Sequence, residues 1–413
     1  MAFLLCHCIK KKFIKPSFSI ASLALMVYIK VRMTDEYVVR ILLRRPRMPH
    51  APFSLVEYLN RGITKLIKDA MFHSMENPRT AHFLRQYAKH NRDNAKKRRH
   101  HEKSGLHVPA FLIASITPQC NLACAGCYAR ANGQCHDQLD ALELTPFEWN
   151  HIFQQASNLG VSFCLLAGGE PLLRMEILHI ASRFPNMIFP VFTNATLIDG
   201  ERLEVFNQYR NLIPMISIEG DDHTTDERRG QGVSALIHAS VTRLNQLNIL
   251  FGASITITTK NLNEVMSDPF LHPHEASGCK IVFLIEYVPA DMRYASLAFD
   301  DTTRHLLEEA VQTAKKKWEN LIFLAFPGDE KQSGGCLAAG RGFFHINYKG
   351  DGEACPFAPY SDRNLHTHSL IEVLQSPFFQ ALRTAELVGG EHNGGCSLFQ
   401  HESEVQDILK EIS

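Results

Sequence analysis

Opposed charges cancel in this chain, with 43 Lys and Arg against 43 Asp and Glu over 413 residues. With no net charge, there is no general pull toward nucleic acid or an anionic membrane surface. Long apolar runs are missing as well. The nearest approach is the mostly apolar stretch from Pro16 to Ile29, well short of the roughly 20 residues a spanning helix needs. A Walker A loop, a G-x-S-x-G elbow and an H-E-x-x-H helix are all absent, which excludes P-loop nucleotide hydrolysis, α/β-hydrolase chemistry and zincin-type proteolysis. Apolar residues make up 45% and charged residues 21%, ordinary proportions for a globular chain. Its length allows two or three domains.

Cysteine is present in number. Eleven cysteines are too unevenly placed for a disulfide framework. Three of them, Cys120, Cys124 and Cys127, fall within eight residues at spacing C-x3-C-x2-C. Thiolates are soft ligands that select zinc, copper(I) or iron–sulfur clusters. Structural zinc takes four protein ligands, usually from paired C-x2-C units. A compact triplet with no local fourth partner suits a cubane cluster with one iron left open for a small molecule. Zinc and chance clustering are the alternatives. A reducing compartment, the cytoplasm, is the natural setting for such thiols.

Residues 1–33 form a doubtful leader. Lys10-Lys11-Lys12 precedes the apolar stretch, and Lys30-Val-Arg32 follows where a cleavage site would stand. Three readings apply: an extension upstream of a start at Met33 or Met26, a membrane-touching helix, or an anchor. The first is preferred, and membrane contact through this segment is not favoured. Residues 50–105 read as a helical extension. Ser54-Leu-Val-Glu57 is a capping box, followed by Leu55, Leu59, Ile63, Leu66, Ile67 and Met71 at helical spacing. Asn77-Pro78 opens a second helix with Phe83, Leu84, Tyr87 and Ala88 on one face. From Arg85 to Lys103 eight Lys/Arg face two Asp/Glu; a solvated helix end is preferred to an anionic partner.

From residue 109 a strand–helix rhythm repeats six times, with strands at Phe111–Ile116, Val161–Ala167, Ile188–Phe192, Met215–Ile218, Ala253–Thr258 and Ile281–Val288. Thr145-Pro-Phe-Glu148 is a further capping box, and the helix it opens stops at Gly160. Alternation of this kind implies a parallel sheet with right-handed crossovers. The expected fold is α/β: a partial (β/α)6 TIM-like barrel over residues 109–310, with the N-terminal helical extension before it. Polar groups collect at the carboxyl ends of the strands: Gly168-Gly169-Glu170, Thr193-Asn194, Ser217-Ile-Glu219-Gly220, Thr259-Lys-Asn261 and Glu286-Tyr-Val-Pro289. That end is the active face of such barrels.

The C-x3-C-x2-C loop after the first strand, followed one unit later by Gly168-Gly169-Glu170-Pro171, resembles the radical S-adenosylmethionine (SAM) superfamily. The resemblance covers residues 110–300. It implies a catalytic 4Fe-4S cluster on Cys120, Cys124 and Cys127, whose open iron binds SAM. Reductive cleavage of SAM then yields a 5′-deoxyadenosyl radical that abstracts hydrogen from substrate. It places Gly168, Gly169 and Glu170 at the SAM amino group. Ser217 and Glu219 stand where the family carries Ser-x-Asp-Gly, with Glu replacing Asp. Asp226-Glu-Arg-Arg229-Gly230 matches the following D-x-x-R-G, so Arg229 is a partner for the SAM carboxylate. Asn194 and Asn261 read equally as ligands or as turn closures. Gly126 stands where many members place an aromatic.

Over residues 320–400 the pattern changes. Cys336, Gly350, Cys355 and Cys396, with a hairpin signal at Tyr348-Lys-Gly350-Asp-Gly352, resemble a truncated SPASM/twitch extension, a small α+β iron–sulfur domain. This implies an auxiliary 4Fe-4S cluster on Cys336, Cys355 and Cys396, with Cys279, Cys135, His392 or the substrate as the fourth ligand. Buried free thiols or a zinc site are the alternatives. Cys164 reads as core. The 21 histidines are scattered; His100-His101, His272-Pro-His274 and His366-Thr-His368 read as solvated loop histidines, and none receives a metal. Asp329 and Glu286 are candidate substrate-facing groups. The expected function is radical modification of a small organic substrate or cofactor precursor. The alternatives are a peptide maturase and a non-catalytic iron–sulfur carrier or sensor. The partners implied are the substrate and a flavodoxin, ferredoxin or reductase as electron donor; nucleic acid is not one.

Overall fold

The computed structural model describes residues 55–73, 77–137, 142–326, 334–389 and 395–412. The leader, Asp329 and His392 lie outside the described residues. Two helices come first, α1 (Leu55–His73) and α2 (Pro78–Lys103). Asn77 caps α2, its side chain accepting from Arg79 N at 3.0 Å and Thr80 N at 3.1 Å, which satisfies donors that the first turn cannot pair internally. The basic run on α2 has one exception to its expected solvation. Arg98 is buried and donates to Gly160 O, Ser162 Oγ and Asn60 Oδ1. Burial without a facing carboxylate pulls its pKa down to about 10.

Seven parallel strands follow in spatial order: β1 (Phe111–Ser115), β2 (Phe163–Ala167), β3 (Phe189–Thr193), β4 (Leu212–Ile218), β5 (Phe251–Ile257), β6 (Cys279–Glu286) and β7 (Ile322–Phe326). The six expected strands are all present, with every end within three residues of its expected place. The seventh is an addition: Ile322–Phe326 pairs along β6 from Ile281↔Ile322 to Ile285↔Phe326. Five apolar residues without alternation do not distinguish strand from helix in sequence. Two short strands finish the sheet at its other edge. β8 (His345–Ile346) runs parallel to β1, and β9 (Gly352–Glu353) folds back on β8 through the expected hairpin. Residues after 320 therefore continue the barrel's own sheet at both of its edges.

The two faces of the sheet are not equivalent. Leu112, Ala114, Leu166, Val191, Ile216, Ile255 and Leu284 belong to the large core under the helices. The opposite residues of the strands, among them Ile113, Leu165, Ala167, Phe192, Ser217 and Phe283, are only half-buried. A parallel sheet is normally covered on both faces, so this alternation marks an open barrel interior. Its floor is closed by the N-terminal helices. Ile63, Ile67 and Tyr87 pack with Ile188, Ile213, Met215 and Leu250 near the amino ends of the strands, and Tyr87 Oη donates to Ser162 O at 2.6 Å. On the other side, Phe326 of β7 meets Phe343, just before β8, with ring centroids 5.4 Å apart. The interior is thus closed below and accessible at the carboxyl ends. Among the described residues, no helix is long and apolar enough to cross a membrane.

Candidate functional site

The cysteine loop leaves the carboxyl end of β1 and is clamped from four directions. Gly169 N donates to Thr117 O at 2.8 Å, and Glu170 N donates to Gln119 O at 2.7 Å. Asn194 Nδ2 donates to Asn121 Oδ1 at 2.8 Å, and Asn121 Nδ2 donates to Thr196 Oγ1 at 2.8 Å. Ala125 N donates to Arg228 O at 2.8 Å, and Arg228 Nε returns a bond to Ala125 O at 3.2 Å. Arg130 holds Leu122 O at 2.8 Å. Cys120, Cys124 and Cys127 are free and half-buried. A thiol bond from Cys135 pulls the Cys120 pKa down to about 6, whereas burial pushes that of Cys124 up.

The glycine pair serves this clamp. A Cβ on Gly169 would lie 2.8 Å from Pro118 O and nearer still to Gln119 O. The bare backbone therefore lets the loop after β2 reach the cysteine loop, a use the ligand-approach reading did not anticipate. The carboxylate of Glu170 is likewise engaged by protein donors. Oε1 accepts from Leu172 N at 3.0 Å and Thr193 Oγ1 at 2.7 Å, and Oε2 accepts from Asn194 N at 2.7 Å. Its side chain ties β2 to β3. Asn194 both closes a turn, accepting from Thr196 N at 3.0 Å, and holds the cysteine loop. Asn261 closes its turn on Thr258 N and donates to Glu219 O at 2.7 Å.

Burial pushes the Glu170 pKa up to about 7 despite those three donors. Folded Glu170 therefore binds its proton more tightly than the unfolded chain, whose value is the ordinary 4.5 or so. Its contribution to stability is complete below the unfolded value and is lost as pH rises through 7. Urea unfolding of wild type against Glu170→Gln between pH 5 and pH 8 should show wild type losing about 3 kcal/mol relative to the variant.

Beyond β4, Glu219 is 1% exposed. Its Oε1 meets Arg229 Nε at 2.9 Å and Arg228 at 2.5 Å, while Oε2 has no partner. Arg229 is therefore not a surface residue. It lies beside Cys124 and Cys127, and although burial opposes its charge, Glu219 and those thiols raise its pKa. Ser217, half-buried on the inner face, stands opposite Ser254 in register. The missing aromatic at Gly126 is supplied from elsewhere. Tyr287, following β6, puts Oη 2.8 Å from where a Gly126 Cβ would be, and that hydroxyl is buried without a partner. Gly126 has φ +63°, a conformation and a clearance that only glycine meets. Arg228 and Tyr287 were not picked out from the sequence, although both adjoin residues that were.

The second cysteine set also converges. The Cys355 and Cys396 thiols hydrogen-bond to each other with Cys336 close by, and burial raises the Cys355 pKa well above its usual range. Two proposed fourth ligands belong elsewhere. Cys135 sits against Cys120. Cys279 begins β6, at the floor end, where its Sγ meets Ile281 O at 3.3 Å. Cys164 is core, as expected. Glu286 shares the outward parity of Val282 and Leu284, not the inward parity of Phe283. It pairs with Arg304 at 2.8 Å and accepts from Gly395 N, so it anchors the Cys396 loop instead of facing substrate. Arg304→Ala should cost about 3 kcal/mol in urea unfolding, because it leaves a buried carboxylate unpaired.

Among the described residues, no three or more His, Cys, Asp or Glu are already closed around one point as a metal ion requires. The donor chemistry still fits a cluster better than an ion. Three soft thiols hang from one clamped loop beside a half-buried guanidinium, with the unpartnered Glu219 Oε2 and Tyr287 Oη nearby. Polar atoms orphaned in the interior carry a cost unless a ligand meets them.

Comparison with known proteins agrees. Residues 114–265 match the radical SAM superfamily. The chain is 25% identical over 322 residues to the AdoMet-dependent heme synthase of Methanosarcina barkeri, covering 71% of this chain and 89% of that protein. It is 30% identical over 165 residues to the sporulation killing factor maturation protein SkfB of Bacillus subtilis, 38% of each chain. Its fold is similar to that of Streptococcus suis SuiB bound to S-adenosylmethionine, with TM-score 0.57 and 18% identity over 71% of this chain and 72% of that one.

Proposed function

From the premise that this chain is a radical SAM enzyme, we propose that Cys120, Cys124 and Cys127 are the protein ligands of its 4Fe-4S cluster. Gly168, Gly169, Glu170, Asn194, Ser217, Glu219 and Arg229 shape the SAM pocket above it. The observation that carries this assignment is the clamp on the cysteine loop. Every strand end from β2 to β4 contributes a bond to the loop or to a residue that holds it.

When bound, the cluster and SAM supply one-electron cleavage of SAM and hydrogen-atom abstraction from substrate. The chain does the rest. The Glu170 carboxylate holds the ends of β2 and β3 in place through three protein donors, and the backbone carbonyls of Gly168 and Gly169 join it as acceptors for an ammonium group. Arg229 presents a cation for a carboxylate. Glu219 Oε2 accepts from a hydroxyl or amine, and Tyr287 Oη caps the loop at Gly126. The helices α1 and α2 seal the floor and keep bulk water from entering below.

Cys336, Cys355 and Cys396 are assigned to an auxiliary cluster, supported by their convergence around the pair of the buried Cys355 and the half-buried Cys396. A small organic substrate or cofactor precursor is favoured by the likeness to the heme synthase, which spans 89% of that protein. A peptide substrate is the second reading, supported by the shorter match to SkfB. A flavodoxin, ferredoxin or reductase in the cytoplasm would supply the electron.

The test is iron and sulfide content, with dithionite-driven formation of 5′-deoxyadenosine, on anaerobically reconstituted protein. About eight iron per chain with slow cleavage is the expected result. About four iron with cleavage would remove the auxiliary cluster. Iron without any cleavage would overturn the SAM pocket.

A further inference from the structure

The helix pair under the barrel carries a surface that the cofactor site does not use. On α2, Arg85, Lys89, Arg92, Lys96, Arg99 and Lys103 follow one another at spacings of four, three, four, three and four residues. That is the repeat of one helical face, so the six side chains form a basic stripe about 27 Å long. Five of them are exposed, and Arg99 is half-buried. Tyr87, buried in the floor cluster, stands on the opposite side of the helix.

The arrangement repeats on α1. Ile63 and Ile67 face the floor, whereas Arg61, Lys65 and Lys68 are exposed on the other side. Glu57 of α1 lies 3.6 Å from Arg99 of α2, which joins the two outward faces into one surface. Acidic groups on it are few. Asp93, at the rim, is held by Lys96 at 3.0 Å, and Glu102, off the stripe, meets His107 at 2.8 Å. Among the described residues, Arg85, Lys89, Arg92 and Lys103 meet no carboxylate. A solvated helical face ordinarily interleaves the two signs, because like charges at i,i+4 weaken the helix. Here like charges stand next to one another five times in a row, in a chain whose charges balance overall. Solvation alone does not require that.

Position selects the partner. The stripe lies at the amino ends of the strands, whereas the first cysteine loop leaves their carboxyl ends, at least about 17 Å of strand away. An electron donor docked here would face the wrong end of the barrel. No Phe, Tyr or Trp of α2 is exposed, as stacking on single-stranded nucleic acid requires. A row of cations without apolar insertion suits the plane of anionic lipid headgroups, where each Lys or Arg strengthens binding about fivefold. The 54 residues before α1 share the sign, with ten Lys/Arg against two Asp/Glu, and include the apolar stretch from Pro16 to Ile29. Stable attachment to a membrane surface takes two signals, of which a polybasic patch is one.

We propose that the outward face of α1 and α2 docks this enzyme on an anionic phospholipid surface, with the floor toward the lipid and the open end of the barrel away from it. The contact is electrostatic and reversible, and it does not depend on a membrane-spanning segment.

The test is co-sedimentation of the full chain with phosphatidylcholine vesicles containing about 30% phosphatidylserine. The protein should bind these and not pure phosphatidylcholine, and should be released as salt rises from about 0.05 to about 0.5 M. Lys89→Gln/Arg92→Gln/Lys96→Gln should weaken binding about 100-fold, fivefold for each charge removed. The control removes equal charge elsewhere. Lys315→Gln/Lys316→Gln/Lys317→Gln, at the end of the helix Asp301–Lys317, should bind within about twofold of wild type, because those charges lie beyond a Debye length from the lipid. Circular dichroism and urea midpoints should match wild type in both variants, which change surface side chains alone. Equal loss in the two variants, or equal binding to both kinds of vesicle, would overturn the proposal. Absence of binding to the anionic vesicles would also overturn it, and binding to an acidic flavodoxin or to duplex DNA in their place would assign the face to that partner. None of these measurements needs the cofactors, so they stand apart from a failure of SAM cleavage.

Discussion

Cys124→Ala should abolish reductive SAM cleavage, with 5′-deoxyadenosine formation falling by more than about 100-fold and iron content dropping by one cluster. The reason lies in the ligand count. Three thiols on one loop leave no spare donor, and loss of even an outer-shell partner commonly costs 10–100-fold in metal affinity. Among the described residues, Cys135, which touches Cys120, is the nearby thiol that invites a substitute role. It sits against Cys120, however, and not at the position of Cys124. The double variant Cys124→Ala/Cys135→Ala should therefore be no worse than the single one. Iron analysis, the electron paramagnetic resonance of the reduced cluster and product formation measure this together. Cleavage at more than a tenth of the wild-type rate in Cys124→Ala would remove the assignment of the catalytic ligands.

The second large effect should come from a single methyl group. Gly169→Ala places a Cβ against Gln119 O and Pro118 O, which are backbone atoms of the segment leading into Cys120. A flexible side chain could swing away, but backbone held by Gly169 N and Glu170 N cannot move without breaking both bonds. Overpacking of this kind costs typically 1–3 kcal/mol and sometimes more, and two lost backbone bonds add to it. We expect about 4 kcal/mol of destabilisation in urea unfolding and a preparation that retains little cluster iron. Gly133→Ala is the control. That glycine also has positive φ, but nothing lies within 4 Å of its added Cβ, so only the conformational term of about 1 kcal/mol remains. Equal losses at the two positions would show that the clamp does not position the cysteine loop.

The six central strands, the helices before them and the hairpin at Gly350 were all legible in the residues, because apolar runs, caps and turn glycines are local signals. So was the collection of polar groups at one end of the sheet, which follows from strand direction alone. Glu286 misled because proximity to a strand end does not say which face a side chain takes. One residue of parity sends it outward to Arg304, away from the interior. Strand β7 lacked any alternation to announce it, and pairing with β6 decided it.

By itself the sequence determined the chemistry on offer: which thiols fall within reach of one another along a loop, and which glycine–carboxylate motif follows one unit later. Spacing along a chain is enough for that, since the ligands of the first set are chain neighbours. Only the tertiary structure decided how the site is held and lined. Tyr287 fills the gap at Gly126, Arg228 brackets Ala125, and Cys135 joins the first cysteine set and not the second. Most of those partners are separated by a hundred residues or more. Their meeting depends on the curl and register of the sheet, which no local pattern encodes.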